Sequence, residues 1–513
     1  MIKILSTQQI REGDNYTIQN EPIASYDLME RAARACFQWI QYEYFDDEPR
    51  FHVFAGTGNN GGDGLAIARM ITEAGFQVKV YIIKYSQHSS QDFNLNLEKL
   101  YYLSEDNPIL EIHFVENSND LQQLIGRIDP SDVIIDAIFG SGLNRQPDGI
   151  AAEVIDFINM LEADKVAIDL PSGLFGDGYT PYSSPIVKAT YTLTLGAPKL
   201  ALFLPENETY FGEWEFIDIQ LHPGYLQQAE TAYFLVDYDD IQNMIPPRQL
   251  FSHKGDYGHL LICAGSKTMS GAAVLATNAA LHSGVGLITA HVPQSCVLPV
   301  QINVPEALLS IDPNDSHISQ VNIPPKATAI AFGPGVGKSP ETAETLYHLI
   351  TTTKIPLIID ADGLNILAEH KEWLNLLPEN TILTPHVGEF ERLFGSFSTH
   401  LDRIEAARAW AQTHKIIIVL KGAFTSIHTP EGYTYFNPTG NPGMAKGGSG
   451  DVLTGLMGGL LARLKNSKNA ALAAVFLHGL AGDIASKHRS YESMTTTDIV
   501  FFLNEAWNDL MKN

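Results

Sequence analysis

Five short runs in the first half of the chain are almost continuously apolar: Phe51 to Ala55, Gln77 to Lys84, Val133 to Phe139, Val166 to Leu170 and Tyr191 to Leu195. Each is rich in Val, Ile and aromatics and is bounded by Gly, Pro or Asp, which predicts buried strands. Leu65 to Ala74 carries apolar residues at helical spacing and stops before Gly75, and Leu28 to Cys36 has the same period. Strand, loop, helix and strand in that order predict βαβ units and a parallel sheet wrapped by helices.

The pattern breaks over residues 221–247, where His222-Pro-Gly224, an acidic stretch through Asp237 to Asp240, and Ile245-Pro-Pro247 read as a connection. A boundary is expected near 225, giving domains 1–225 and 226–513. A second alternation follows. Leu260 to Ala264, Leu287 to Val292, Thr328 to Phe332, Pro356 to Asp360, Thr381 to Thr384 and Ile416 to Leu420 are the expected strands. Gly271 to Leu281, Asp402 to Gln412 and Asp451 to Leu464 are the expected helices. The halves share a class but no motif, so this is no internal repeat. The fold class expected is α/β, with two doubly wound parallel-sheet domains.

Composition narrows the function. Across 513 residues, 45% are hydrophobic and 18% charged, an ordinary globular balance long enough for two cores. The formal net charge of −26 leaves no basic footprint for a duplex, so no nucleic-acid partner is expected. Small anions stay possible, because backbone N–H groups at loops and helix starts bind phosphate without lysine. Cys36, Cys263 and Cys296 are scattered, which fits a reducing compartment. The N-terminus lacks a signal-peptide core and no uninterrupted apolar run is bilayer length, so a cytoplasmic protein without a membrane partner is expected.

Candidate chemistry gathers where strands end. Gly56-Thr-Gly-Asn-Asn-Gly-Gly-Asp-Gly64 follows a strand and opens a helix. Its GxGxxG alone is a weak signal, and the next strand ends in Ile83-Lys84 where a dehydrogenase would carry an acidic residue. Asn59, Asn60 and Asp63 inside this turn suit either helix caps or a ligand site. Asp136 lies in an otherwise apolar strand and Asp169 and Ser172 follow another, each needing a polar partner. Asn60, Asp136 and Ser172 offer oxygen ligands only, fitting K+, Na+ or Mg2+ better than zinc. An Asp136 that merely accepts backbone N–H bonds fits equally well.

In the second half, Met444-Ala-Lys-Gly-Gly-Ser-Gly-Asp451 opens a long apolar helix. Gly447, Gly448 and Gly450 form an anion-binding nest at its positive end. A carboxylate there repels phosphate, so Asp451 makes sense as a base for a hydroxyl attacking a phosphoryl group. Lys421 follows a strand and suits a nucleotide phosphate. His386, after Thr384-Pro385, suits either a substrate contact or a satisfied turn. There is no Walker A sequence.

Together, Leu28-Met-Glu30, Gly58 to Gly64, Asp136 to Gly142, Asp169 to Gly173, Gly333 to Gly337, Thr384 to His386, Lys421-Gly422 and Asn441 to Asp451 resemble the bifunctional NAD(P)H-hydrate repair enzymes over nearly the whole chain. The family joins an epimerase to a nucleotide-dependent dehydratase. The resemblance implies a Rossmann-like N-terminal domain and a ribokinase-like C-terminal domain. It implies that Asn59, Asn60, Gly61, Gly62, Asp63, Gly140, Ser141, Gly142, Leu143, Asn144, Arg145, Gln146 and Asp169 bind the hydrated dinucleotide. Asn60, Asp136 and Ser172 would hold K+, and Asp169 would handle the epimerase proton. Ala272, Gly337, His386 and Asp451 would contact the hydrate, with Asp451 catalytic. Lys421, Gly422, Ala423, Phe424, Thr425 and Gly450 would hold ADP with its Mg2+. The expected partners are hydrated NADH or NADPH, ADP and a second copy of the chain. The alternative is a ribokinase-like vitamin kinase fused to a dinucleotide-binding module, since the Gly-Asp nest alone would serve it.

Overall fold

The computed structural model describes residues 1–124 and 128–512. The chain folds as two units, Ile2–Thr231 and Ala232–Asn513, with Met1 grouped with the second.

In the first unit seven parallel strands form one sheet. The order across it is Leu110–Val115, Val78–Ile83, Phe51–Ala55, Val133–Ala137, Asp164–Ile168, Tyr191–Leu195 and Glu213–Ile217. All five residues of Phe51–Ala55 and of Val133–Ala137 are buried, because helices cover both faces of a parallel sheet. Chain direction across the sheet reverses between these two strands, which opens a crevice at their C-terminal ends. Phe54 pairs with Asp136 across that switch point.

The strand ends shift by a residue or two from those expected, and Leu110–Val115 and Glu213–Ile217 are additional. At the sheet edges, Leu110–Val115 is buried only at its two end residues and Glu213–Ile217 only at Ile217, so neither shows a continuous apolar run.

The second unit is mixed where only parallel strands were expected. Its sheet runs Tyr233–Leu235, Thr434–Phe436, Ser426–His428, Ile417–Leu420, Ile382–Leu383, Leu357–Ile359, Ala329–Phe332, His259–Cys263, Leu287–Val292 and Leu308–Ile311. The pairings of Ser426–His428 are antiparallel. Short hairpin connections force this, since a parallel return needs a long crossover. The stretch 221–247 is also more than a connection: it holds Pro223–Gln228, Tyr233–Leu235 and Tyr238–Met244. Tyr233–Leu235 pairs in register with Thr434–Phe436.

The core of the second unit is built on three helices, Ser270–Leu281, Ser449–Leu464 and Ser467–Ser486. An added Cβ at Gly455 would sit 1.9 Å from the Ala276 carbonyl, and one at Gly459 the same distance from Ser283 Oγ. Two glycines four residues apart therefore let Ser449–Leu464 touch its neighbour's backbone. Ser467–Ser486 has the length and mean hydropathy of a membrane span, although polar residues interrupt it, and 72% of its apolar window is buried inside the unit.

Candidate functional site

In the first unit the Gly56 to Gly64 loop turns so tightly that a Cβ on Gly61 would lie 1.8 Å from the Gly56 carbonyl. Helix Asn59–Glu73 starts there, at the switch point of the sheet. Beside it opens a cavity of about 700 Å³. Its walls include Asn59, Asn60, Asp63, Gly140 to Gln146 and Asp169. Gly61 and Gly62 are not among them, and a Cβ on Gly62 would instead meet Met29 Sδ at 2.8 Å.

Asp169 follows strand Asp164–Ile168 in a left-handed conformation, φ +71°. Such strain in a non-glycine residue persists only where surroundings over-determine it. One carboxylate oxygen accepts Lys199 Nζ at 2.5 Å and the other accepts the Ser141 N–H at 2.7 Å. Lys199 is fully buried and also donates to the Leu195 carbonyl. Burial alone would raise the Asp169 pKa, but the Lys199 charge and these hydrogen bonds outweigh it and hold it below the usual value.

Asp136 and Ser172 are completely buried outside the cavity wall. Asp136 accepts the Ser172 N–H at 2.7 Å, the Ser172 hydroxyl at 2.5 Å and the Ile138 N–H at 3.3 Å. Burial still pushes its pKa up to about 6. Asn60 bonds neither residue, and its amide Nδ2 is buried without a partner.

Sequence reasoning missed two residues here. Lys199 was legible as a lone cation in the apolar run Lys199-Leu-Ala-Leu-Phe203. Asp14, from helix Thr7–Asn20, lines the same cavity, and only the fold brings it there.

In the second unit the key strand is Leu357–Ile359, followed by Asp360-Ala-Asp362-Gly363. Ala361 has φ +48°, again a strained non-glycine at a strand end. Asp360 is buried; its oxygens accept Lys421 Nζ at 3.0 Å and Thr454 Oγ1 at 2.6 Å. Lys421 also lies 3.9 Å from Glu389. A Cβ added to Gly450 would stand 3.3 Å from Lys421 Nζ and 3.8 Å from Asp360 Oδ2, so the glycine nest faces this ion pair. Asp451 lies in the first turn of Ser449–Leu464, capped by Gly448 at φ +91°. Burial, with Asp360 adding repulsion against the pull of Lys421, pushes its pKa up to about 7.

The Gly337 N–H donates to Asp362 at 2.9 Å, and a Cβ on Gly335 would meet Ala272 Cβ at 2.8 Å. Gly337 is thus bonded to Asp362, whose charge reaches Asp451, while Ala272 packs beside Gly335. His386 behaves as a helix cap: its Nδ1 accepts the Gly388 N–H at 3.0 Å, and its own N–H donates to Glu389 at 2.9 Å. Thr425 Oγ1 donates to the Gly422 carbonyl, closing the loop of Gly422, Ala423 and Phe424 upon itself. Of that loop, Lys421 is the member bonded into the carboxylate cluster. Asp360, Asp362, Glu389 and Thr454 were missed, although two aspartates directly after an apolar strand were a readable signal.

Two family models match the chain: "YjeF-related protein N-terminus" over residues 25–201, and "NAD(P)H-hydrate dehydratase" over residues 260–504. The bifunctional NAD(P)H-hydrate repair enzyme Nnr of Moorella thermoacetica is 34% identical, over 98% of this chain and 96% of its own. Its Escherichia coli counterpart is 30% identical, over 97% and 93%. Among solved structures, the ADP/ATP-dependent NAD(P)H-hydrate dehydratase from Bacillus subtilis co-crystallized with ATP/Mg2+ is 32% identical. It aligns over 55% of this chain and 100% of that one, with a TM-score of 0.49.

Proposed function

The chain belongs to the bifunctional NAD(P)H-hydrate repair enzymes, and we propose that its two units divide the work. The first interconverts the R and S hydrates of NADH and NADPH. The second dehydrates the S hydrate with ADP, giving AMP and phosphate.

The observation that carries the dehydratase reading is Asp451, poised near neutrality in a glycine nest beside Lys421. A general base works best with a pKa near the working pH. Asp451 takes the proton from the C6 hydroxyl of the hydrate as that oxygen attacks the terminal phosphoryl group of ADP. The phosphate ester then breaks at the C6–O bond, phosphate leaves with the electron pair, and loss of the C5 proton forms the C5–C6 double bond. Lys421 and Gly450 meet the nucleotide phosphates, with Gly422 to Thr425 alongside. Ala272, Gly337 and His386 border the hydrate. The Asp362 carboxylate would hold the Mg2+ of the nucleotide, a cation that prefers hard oxygen and would supply charge neutralisation at the phosphoryl group.

In the first unit the cavity supports binding of the hydrated dinucleotide through Asn59 to Asp63 and Gly140 to Gln146. Asp169, held ionised by Lys199, is the base. K+ would suit the oxygens of Asn60, Asp136 and Ser172, because the donor set is hard and Asp136 is a fully buried carboxylate with no cationic side chain bonded to it among the described residues. Bound there, it would supply positive charge to offset the buried Asp136 carboxylate. The three cysteines are free and buried, which supports the cytoplasm as the compartment. Self-association into a homo-oligomer completes the reading.

Absorbance at 340 nm tests it. The full chain with chemically hydrated NADH and ADP should restore the NADH absorbance. A stable phosphorylated product without that rise would mean a kinase instead.

A further inference from the structure

The epimerase cavity contains more carboxylate than its buried lysine neutralises. Asp14, Asp63, Asp92, Asp148 and Asp169 all line it, against Arg11 and Arg145 in the wall and Lys199 behind it. Asp169 is bonded to Lys199 and Ser141. Asp92 accepts the Ser25 hydroxyl at 2.6 Å. Asp14 differs, because its Oδ1 is buried yet has no hydrogen-bond partner. An unmade bond on a buried acid oxygen is costly unless the group carries a proton or meets a ligand.

Resting on the epimerase reading above, we infer that Asp14 is the general acid of the epimerase, giving a proton to the hydrate's C6 oxygen while Asp169 serves as the base. The C6 carbon bears both a hydroxyl and the ring nitrogen N1. Protonated by Asp14, the hydroxyl leaves as water with the C6–O electron pair, and the N1 lone pair forms the N1–C6 double bond. Water then adds to the opposite face of C6 and loses a proton to Asp169. A proton passes back to Asp14 through solvent, so the sum is inversion at C6 with no atom gained or lost. No redox partner is needed.

The two groups have the separation of character this requires. Burial and the nearby Asp169 charge, partly offset by Lys199, push Asp14 up to about 6, while Asp169 is held below its usual value. Carboxyl groups pushed apart in this way mark an acid and a base. Burial, with Asp169 and Asp14 adding repulsion, also pushes Asp63 well above its usual value. The other groups around Asp14 are few. Arg11 shares its helix, and Arg145, Asp148 and Tyr85 stand in the cavity wall. Helix Ser25–Tyr44 presents Leu28 and Met29 there. Tyr225 packs on Gly13 and donates its hydroxyl to the Gln9 carbonyl.

The test uses the full chain, with R to S conversion followed chromatographically and the uncatalysed rate subtracted at each pH. An acid with a pKa of about 6 must be protonated, so the wild-type kcat/KM should fall about tenfold per pH unit above about 6. Asp14→Asn should lower epimerisation by about 10²–10⁴-fold and abolish that alkaline limb. Asp14→Glu should recover part of the rate with the limb restored. Circular dichroism and a first-unit unfolding midpoint matching wild type report that each variant is folded. An Asp14→Asn enzyme within threefold of wild type, or a slower one that keeps the limb, would overturn the assignment. A wild-type chain that fails to epimerise would instead sink the epimerase reading itself.

Discussion

The Asp169–Lys199 and Asp360–Lys421 pairs stand at matching places in the two units. Each follows a central parallel strand, and a strained non-glycine backbone marks each turn, at Asp169 itself and at Ala361. The cations are used differently. Lys199 is fully buried and has one carboxylate partner, which it holds ionised. Lys421 is 20% exposed and is shared between Asp360 and Glu389 while also facing Asp451. Burial, with Asp360 adding repulsion that Lys421 only partly offsets, pushes Asp451 up to about 7. The first unit reaches a similar result by another route: Lys199 is engaged by Asp169, and Asp14, outside that pair, rises to about 6. In both sites a carboxylate outside the ion pair has its pKa pushed up towards neutrality.

Asp451→Asn cuts deepest into this contrast. It keeps the shape but not the base, so dehydration should fall by about 10²–10⁴-fold. Calorimetric titration should find ADP affinity unchanged or improved, because a charge that repels phosphate is gone. The wild-type rate should rise with pH through about 7, since the ionised form is the active one, and the variant's residual rate should lose that rise. Loss of ADP binding with turnover kept at saturating nucleotide would make Asp451 a binding residue.

Lys199→Met probes the closed pair. It strands a buried charge at Asp169, and breaking such a pair costs about 3–5 kcal/mol, read as a lower unfolding midpoint of the first unit. Adding Asp169→Asn should recover most of that loss. If the single substitution leaves the midpoint unchanged, Lys199 is not what holds the Asp169 charge.

Thr454→Val gives the smallest effect of the three. It removes a buried hydroxyl that donates to Asp360 at 2.6 Å. Hydrogen bonds to charged groups contribute about 1.5–3 kcal/mol. Denaturant unfolding should show a loss in that range for the second unit, and a loss under 0.5 kcal/mol would mean that Lys421 alone secures Asp360.

Much of this was readable in one dimension. The glycine-rich turns at 56–64 and 447–450 and the aspartates at 136, 169 and 451 were visible, because buried parallel strands are continuous apolar runs whose polar interruptions stand out. The edge strands were hidden, since Leu110–Val115 and Glu213–Ile217 mix exposed with buried positions. So was the antiparallel return at Ser426–His428 and Thr434–Phe436, three residues each and too short for any period to register.

What the sequence by itself determined was where strands end and which polar groups sit at those ends, because hydrophobic period and glycine placement are local properties of the chain. Which carboxylate pairs with which lysine was decided only by the tertiary structure. Asp169 and Lys199 are 30 residues apart, Asp360 and Lys421 are 61 apart, and Asp14 reaches Asp169 from a helix at the chain's beginning. Proton affinity depends on burial and on charges a few ångströms away in space, and neither distance exists until the sheet has closed the strand ends around the site.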